Sequence, residues 1–373
     1  MEKKRLFEIG VLIVFFLLLV NNSMRIVNLY REEVNAPYAW AAGDGFFHTY
    51  MSQRVHEVGW YDKTLSGLDK YYQPLGWDLI PGHPPLLYYL VAHGTSLTGL
   101  EIYDVELYVV SLFVAGSAVA MYFIIKQYNE LLAYLALPMM VLMGDRPFEA
   151  AVSWGQHPFI VGQFFMLLSV YLLLRRKYFL LGVSLCLTIL GHTTEYIYLL
   201  PLMLFFIILD AVDKHYDDVK KLVAANAGAL LVASPYLVNF YNLFVVGSGS
   251  AGNATPFALN HLETVENFGA VCVKFYHLGL FEYLVYAGII ISVFLIFSRG
   301  DRLRHYSIYF LFLLICLSNW VNQWRAFQVR FFMPILLSFF SALALYNLFV
   351  LAKKHFKDDK AAIIRREDIP FLG

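Results

Sequence analysis

Residues 6–20 read LFEIGVLIVFFLLLV and follow a short basic cluster, KKR at 3–5. A secretory signal peptide would end at a small-residue cleavage site. Here the apolar run continues instead into NNSMR at 21–25. The sequence therefore predicts an uncleaved first membrane span over 6–27.

The composition extends this prediction to the whole chain of 373 residues. Hydrophobic residues make up 59% of it and charged residues only 15%, and the mean hydropathy is +0.59. These values exclude a soluble globular enzyme and a disordered chain. The 28 basic and 28 acidic residues balance, so no net positive field favours a nucleic-acid partner. The three cysteines show neither disulfide nor metal-ligand spacing.

Further apolar segments approach the length of about 20 residues that a membrane-crossing helix needs. They lie at 103–126, 158–175, 178–193, 194–212, 219–246, 278–298, 305–321 and 331–352, and two shorter segments, 85–100 and 128–143, are marginal. We expect an all-α fold, a polytopic transmembrane bundle of about 10–11 membrane helices. Amphipathic surface helices are expected in the first external loop.

The positions of lysine and arginine set the expected orientation. With the N-terminus in the cytoplasm, the later basic clusters fall inside only if one marginal segment fails to cross, and the residues leave open which one. Residues 1–352 then form a single transmembrane domain and 353–373 a cytoplasmic tail. The segments 28–84, 144–157, 247–277 and 319–330 lie outside. We expect an integral, multi-pass protein of a prokaryotic plasma membrane, with its active site facing outside.

Asp44 and His48 belong to the first candidate site, GDGFFH at 43–48. Asp44 can cap the backbone N–H groups of a helix that starts here. It can also bind a metal or shuttle a proton together with His48, one turn away. The loop alone leaves both roles open. A surface helix is indicated by apolar positions at helical spacing, namely Phe47, Met51, Val55 and Val58.

Four further polar segments carry candidate residues. PGHPP at 81–85, which contains His83, marks a sharp start of a membrane helix. GDRPFE at 144–149 and WGQHP at 154–158 place charges near the hydrocarbon, where they are costly unless they face a cavity or each other. GHTTE at 191–195 is either a solvated turn or a segment that dips into the same cavity. The candidates in these last three segments are Asp145, Glu149, Gln156, His157, His192 and Glu195.

Arg325 and Arg330 lie in the last external segment, against the positive-inside trend. Arginine binds phosphate through two parallel hydrogen bonds and keeps its charge when partly buried. The alternative role is snorkelling to lipid headgroups. We expect at least one of the two to bind a phosphate.

In this order, the features resemble the polyprenyl-phosphate-sugar-dependent membrane glycosyltransferases of the GT-C superfamily. That superfamily includes oligosaccharyltransferases, protein mannosyltransferases and lipid A aminoarabinose transferases. The resemblance covers the layout of the whole chain and rests on short motifs: DGFFH at 44–48, PPL at 84–86, the acidic segment 145–149 and RFFMP at 330–334. The chain has no Trp-Trp-Asp motif, and it has Asp44-Gly45 where mannosyltransferases have a paired Asp-Glu. We expect no soluble C-terminal domain.

The resemblance implies transfer of a sugar from a polyprenyl-phosphate-linked donor to a glycan, lipid or protein acceptor on the external face. Catalytic roles fall to Asp44, His48, Asp145 and Glu149, and binding of the donor phosphate to Arg325 and Arg330. The expected substrate cavity includes His83, Gln156, His157, His192 and Glu195. A divalent cation such as Mg or Mn, if the enzyme uses one, would be held by Asp44 and Asp145. The departures leave the acceptor class and the metal open.

Two other function classes stay open. A flippase or transporter of lipid-linked sugars typically shows inverted repeats and charged sites in mid-membrane, whereas the candidate residues here gather at one face. A non-catalytic subunit of a glycosylation complex, working with a partner subunit, would share the whole layout and differ only in activity.

Overall fold

The computed structural model describes residues 2–34, 40, 43–59, 84–241, 280–298, 302–319 and 323–355. Within these ranges every helix or strand element is an α-helix, which confirms the predicted all-α fold. The helices are α1 Glu2–Val34, α2 Gly43–Val58, α3 Leu86–Thr98, α4 Ile102–Lys126, α5 Glu130–Ser153, α6 His157–Leu174, α7 Tyr178–Gly191, α8 Thr193–Val212, α9 Tyr216–Tyr241, α10 Leu280–Phe297, α11 Arg302–Asn319 and α12 Gln323–His355.

Six of these described helices, α1, α4, α6, α8, α9 and α12, are long and apolar enough to cross a bilayer. Four more, α5, α7, α10 and α11, carry shorter apolar segments. The apolar stretches of α4, α6 and α12 are mostly buried, whereas those of α1 and α9 are mostly exposed. The chain is therefore a polytopic helical membrane bundle with α4, α6 and α12 near its centre.

The two marginal segments differ in helix length. The 13 residues of α3 span about 20 Å at 1.5 Å per residue, which is short of the hydrocarbon core of about 30 Å. The 24 residues of α5 span about 36 Å. The apolar part of α5 nevertheless ends at Gly144, so the two segments differ in helix length more than in apolar length.

The first helix continues past its predicted end at 27 and reaches Val34, so 28–34 are helical rather than part of the external loop. Its last turns are held against α4, where Arg31 pairs with Asp104 at 2.5 Å and lies 4.9 Å from the centre of the Tyr103 ring. These contacts offset the cost of extending a polar helical end beyond the apolar run.

Two predicted external segments are also largely helical. In 144–157, α5 runs on to Ser153 and only 154–156 form a turn. The charge of Glu149 is matched by Arg25 of α1, whose Nε lies 2.6 Å from Glu149 Oε1, and a helix can therefore carry it. In 319–330, α12 begins at Gln323 and continues to His355. The segments 60–83 and 247–277, and the tail beyond 355, lie outside the described residues.

The ends of the helices can be assigned to the two ends of the bundle. Tyr306, near the start of α11, contacts Tyr128 in the α4–α5 turn, with ring centres 4.3 Å apart. The α4–α5 turn lies at the other end of α5 from the α5–α6 turn. Helix α11 therefore starts at the end that holds the α4–α5 turn and runs toward the opposite end. Because α12 follows α11, it starts toward the end of the bundle that holds the α5–α6 turn.

Candidate functional site

The start of the surface helix α2 packs directly on the tight turn between α5 and α6. Gly155 in this turn has φ +79°, a left-handed conformation that glycine adopts without strain. A Cβ on Gly155 would lie 2.5 Å from the carbonyl carbon of Asp44 and 2.7 Å from Gly45 Cα. Only a glycine allows this approach. The backbone of Asp44 therefore rests directly on the turn.

Trp40, just before α2, also packs against the start of that helix. Its ring fills the space in front of Gly45, where a Cβ would lie 2.6 Å from a ring carbon. Its indole N–H donates to Thr49 Oγ1 at 3.1 Å. The same ring meets the edge of His157, with centres 4.9 Å apart. Trp40 thus joins the first two turns of α2 to the start of α6.

His157 is fully buried at the start of α6 and has both ring nitrogens engaged. Its Nδ1 lies 2.6 Å from Glu106 Oε1 of α4, and its Nε2 lies 2.8 Å from the carbonyl oxygen of Val152. Both contacts are hydrogen bonds only if the ring carries two protons or Glu106 carries one. The Glu106–His157 pair is neutral overall in either form, which makes its complete burial tolerable.

His48 and Tyr88 extend this buried cluster to α3. His48 Nδ1 lies 2.9 Å from the Tyr88 hydroxyl, and both side chains are buried. The centres of the His48 and His157 rings are 5.8 Å apart. The helix predicted over 43–58 is confirmed as α2, and it turns His48 inward while Asp44, one turn earlier, stays at the surface.

Asp44 combines exposure with a perturbed carboxyl group. The surrounding protein reduces the hydration of the carboxylate and raises its pKa above the usual 3.8, and the nearby His157, when charged, lowers that pKa by a smaller amount. A carboxylate with a raised pKa is a stronger proton acceptor. The arrangement offers a reachable base at the surface, supported by buried aromatic and histidine side chains.

The other predicted site residues have different surroundings. Gln156 is buried in the same turn, beside His157. Glu149 is buried in the last turns of α5 and is paired with Arg25. Asp145 is helical, but its side chain, like those of Arg325 and Arg330, lies outside the described residues. So does the whole of His83.

The GHTTE segment is largely buried and is not a solvated turn. His192 is the single residue between α7 and α8, and its Nδ1 contacts the buried carboxylate of Glu195. Both pack on Gly162 of α6, where a Cβ would lie 2.6 Å from His192 Cβ and 3.0 Å from Glu195 Oε2. The pair therefore lies inside the bundle, more than one turn along α6 from His157.

The described residues do not complete a metal site around Asp44. Both ring nitrogens of His157 are engaged and Glu149 pairs with Arg25, so Asp44 supplies the one described carboxylate of the predicted pair. Among the described residues, a geometry that could hold an ion occurs at Asp210, His215 and Asp218, in and beside the α8–α9 turn. Arg176 already pairs with both of those aspartates.

The sequence reasoning missed Glu106, Tyr88 and Trp40. Glu106 was within reach, because an ionisable residue inside a predicted membrane span indicates a functional or structural site. Tyr88 and Trp40 carry no comparable signal, since aromatic residues are frequent throughout this chain.

No protein-family model matches the sequence, and no curated protein matches it either. The structure is similar to the crystal structure of the Archaeoglobus fulgidus oligosaccharyltransferase in complex with Zn and sulfate, with a TM-score of 0.58 and 13% sequence identity. The two chains therefore share a similar fold. The match covers 92% of this chain and 50% of the oligosaccharyltransferase, so this chain spans about half the length of that protein.

Proposed function

We propose that this chain is a membrane glycosyltransferase that moves a sugar from a polyprenyl-phosphate-linked donor to an acceptor at the membrane face where α2 lies. The observation that carries the proposal is the Asp44 carboxylate, at the start of a surface helix and seated on the turn that leads to His157. The GT-C-like fold supports it, because an oligosaccharyltransferase shares that fold.

In the proposed reaction, Asp44 is the general base. As the acceptor hydroxyl attacks the anomeric carbon of the sugar, its proton passes to the Asp44 carboxylate. The bond between the anomeric carbon and the phosphate oxygen breaks, and its electron pair leaves with the polyprenyl phosphate. Positioned general bases contribute typically about 10²–10⁴-fold to a rate.

The leaving phosphate needs a cation, and Arg325 and Arg330 are the proposed donors. Both belong to the first turns of α12, and α12 starts toward the end of the bundle that holds Asp44. Guanidinium groups there would stabilise the negative charge that develops on the phosphate. A divalent cation at Asp44 and Asp145 remains part of the proposal, with Mg or Mn as the expected ion because carboxylate oxygens suit both. When bound, it would supply charge stabilisation.

Purified protein incubated with a panel of polyprenyl-phosphate sugars tests the proposal by release of polyprenyl phosphate. Asp44→Asn should reduce release by about 10²–10⁴-fold and leave the melting temperature nearly unchanged, because the residue is at the surface. Glu57→Gln, an exposed carboxylate at the other end of α2, is the matched control and should keep full activity.

Each other outcome contradicts a specific part of the proposal. Full activity of Asp44→Asn would remove Asp44 from the mechanism. Saturable donor binding without release by the wild-type protein would favour a flippase or a subunit that needs a partner. Arg325→Ala and Arg330→Ala should each weaken donor binding, and unaltered affinity in both variants would leave them as headgroup anchors.

A further inference from the structure

A long apolar groove runs between α7 and α9 on the outside of the bundle. Its volume is about 530 Å³, within the range of about 300–1,000 Å³ that is usual for ligand sites. The two helices run parallel, because Gly182 of α7 lies against Ala225 of α9 and, further along both helices, Thr193 at the start of α8 lies 3.0 Å from the Tyr236 hydroxyl of α9. Small side chains on both helices keep the groove open.

One end of the groove is cationic. Lys221 of α9 lines it there, and Arg175 and Lys177 lie exposed just before α7. Both helices also begin at this end, and the positive ends of their dipoles add to the charge. Lys177 is the N-cap of α7 and makes no side-chain capping hydrogen bond.

Three of the acidic groups near this end are paired with other cations, and Asp213 in the α8–α9 turn is a fourth carboxylate there. Asp210 and Asp218 pair with Arg176, and Asp217 lies 4.0 Å from Lys220. Among the described residues no ion pair engages Arg175, Lys177 or Lys221, so the groove end keeps a net positive charge.

We propose that the groove between α7 and α9 binds one anionic phospholipid of the membrane, with an acyl chain along the groove and the phosphate at Lys177 and Lys221. A purely apolar occupant would gain nothing from the cations, and a zwitterionic lipid would gain little. Basic residues near a membrane surface each contribute about 1 kcal/mol to the attraction of anionic lipid, which corresponds to about fivefold in affinity.

The occupant is a bulk lipid rather than the sugar donor, a distinction that rests on the proposed function. The 18 residues of α6 separate His157 from the α6–α7 turn by about 27 Å. The cationic end of the groove is therefore at the opposite end of the bundle from Asp44. A donor whose phosphate lay there could not bring its sugar to Asp44.

Native mass spectrometry of the purified full chain, titrated with phosphatidylglycerol or phosphatidylcholine, tests this site. Phosphatidylglycerol should bind saturably and about 25-fold more tightly than phosphatidylcholine, because two cations contribute about fivefold each. Changing both Lys177 and Lys221 to Gln should remove that preference, whereas Lys3→Gln, an exposed charge change away from the groove, should keep it.

Gly228→Leu fills the groove without disturbing the helix. A Cβ on Gly228 would meet nothing within 4 Å, and leucine is a better helix former than glycine. Affinity for phosphatidylglycerol should fall about tenfold, the scale of an overpacked site. Gly10→Leu is the matched control, because a Cβ there also meets nothing within 4 Å, and it should bind as the wild type does.

Four results would overturn the proposal. Equal binding of the two phospholipids by the wild type would remove the role of the cations. A Gly228→Leu variant that binds like Gly10→Leu would place the lipid elsewhere. Polyprenyl phosphate bound more tightly than phosphatidylglycerol, or an oligomer that Gly228→Leu dissociates, would assign the groove to the donor or to a second copy of the chain. Retained sugar transfer in Gly228→Leu would separate the failure of this site from that of the proposed function.

Discussion

Replacing Gly155 by alanine should reduce glycosyl transfer by about 100-fold without unfolding the protein. The added Cβ would lie 2.5 Å from the carbonyl carbon of Asp44. The first turn of α2 would have to retreat by about 1 Å to restore ordinary van der Waals contact, and a 1 Å misplacement of a catalytic group can cost about 10²-fold. That loss corresponds to about 2.7 kcal/mol in transition-state stabilisation.

The substitution also forces alanine into a left-handed backbone, at a cost of about 1–3 kcal/mol in stability. Gly99→Ala separates the two effects. Gly99 has φ +69°, but a Cβ there meets nothing within 4 Å. This control carries the same kind of backbone strain without displacing α2, and it should keep its transfer rate while losing a similar amount of thermal stability.

The assay is the initial rate of polyprenyl-phosphate release, together with the melting temperature of each variant in detergent. If Gly155→Ala keeps a rate within a few-fold of Gly99→Ala, the close approach of the turn to α2 does not position the reacting group. The inference that Asp44 is the general base and is positioned by its contact with the α5–α6 turn would then be refuted.

Three further predictions concern the charges around this turn. The pKa of Asp44 is raised above 3.8, so its carboxylate form is lost at a higher pH than that of a free aspartate. The transfer rate should therefore fall as the pH decreases through that raised pKa. A rate profile that stays flat to below pH 3.8 would contradict the role of Asp44 as the general base. Glu106→Leu leaves His157 without its buried hydrogen-bond partner and should lower the free energy of unfolding by about 3–5 kcal/mol. Ser111→Ala, a buried polar change on the same helix, is the control for this measurement. A double-mutant cycle of Glu149→Gln and Arg25→Gln should give a coupling energy of about 0.2–1 kcal/mol in the free energy of unfolding, because Arg25 is 52% exposed. A loss of transfer in Glu149→Gln but not in Arg25→Gln would instead assign Glu149 a catalytic role.

The sequence predicts those parts of the fold that depend on local periodicity. The apolar spacing from Phe47 to Val55 indicates a surface helix, and α2 is that helix, with Met51 and Val55 buried. The run of apolar segments likewise predicts a polytopic bundle. These features follow from the chemistry of neighbouring residues, which a sequence displays directly.

The sequence does not predict features that arise where distant segments meet. Charged residues at 145–149 indicated a loop, because their cost next to hydrocarbon is visible locally while the compensation by Arg25 is not. Gly155 reads as an ordinary turn glycine, and only the fold brings it against Asp44. Glu106 is a partial exception, since a carboxylate inside an apolar span signals a distant partner without naming it.

Two buried histidine–carboxylate pairs flank α6 in its first half. Glu106 contacts His157 from α4, and Glu195 contacts His192 beside Gly162. Each carboxylate also has one buried oxygen without a hydrogen-bond partner among the described residues. Burying a polar atom without a hydrogen bond costs free energy of folding, so both carboxylates lower the stability of the bundle at these positions.

The first of these pairs holds the start of α6, the same segment whose preceding turn supports α2. Asp44 itself remains at the surface, where a substrate can reach it. The transfer rate and the stability therefore depend on different residues. Substitutions of Asp44 should change the transfer rate alone. Substitutions of Glu106 should displace the start of α6, whose preceding turn positions Asp44. A Glu106 variant that lost stability but kept the full transfer rate would separate the buried pair from the site it supports.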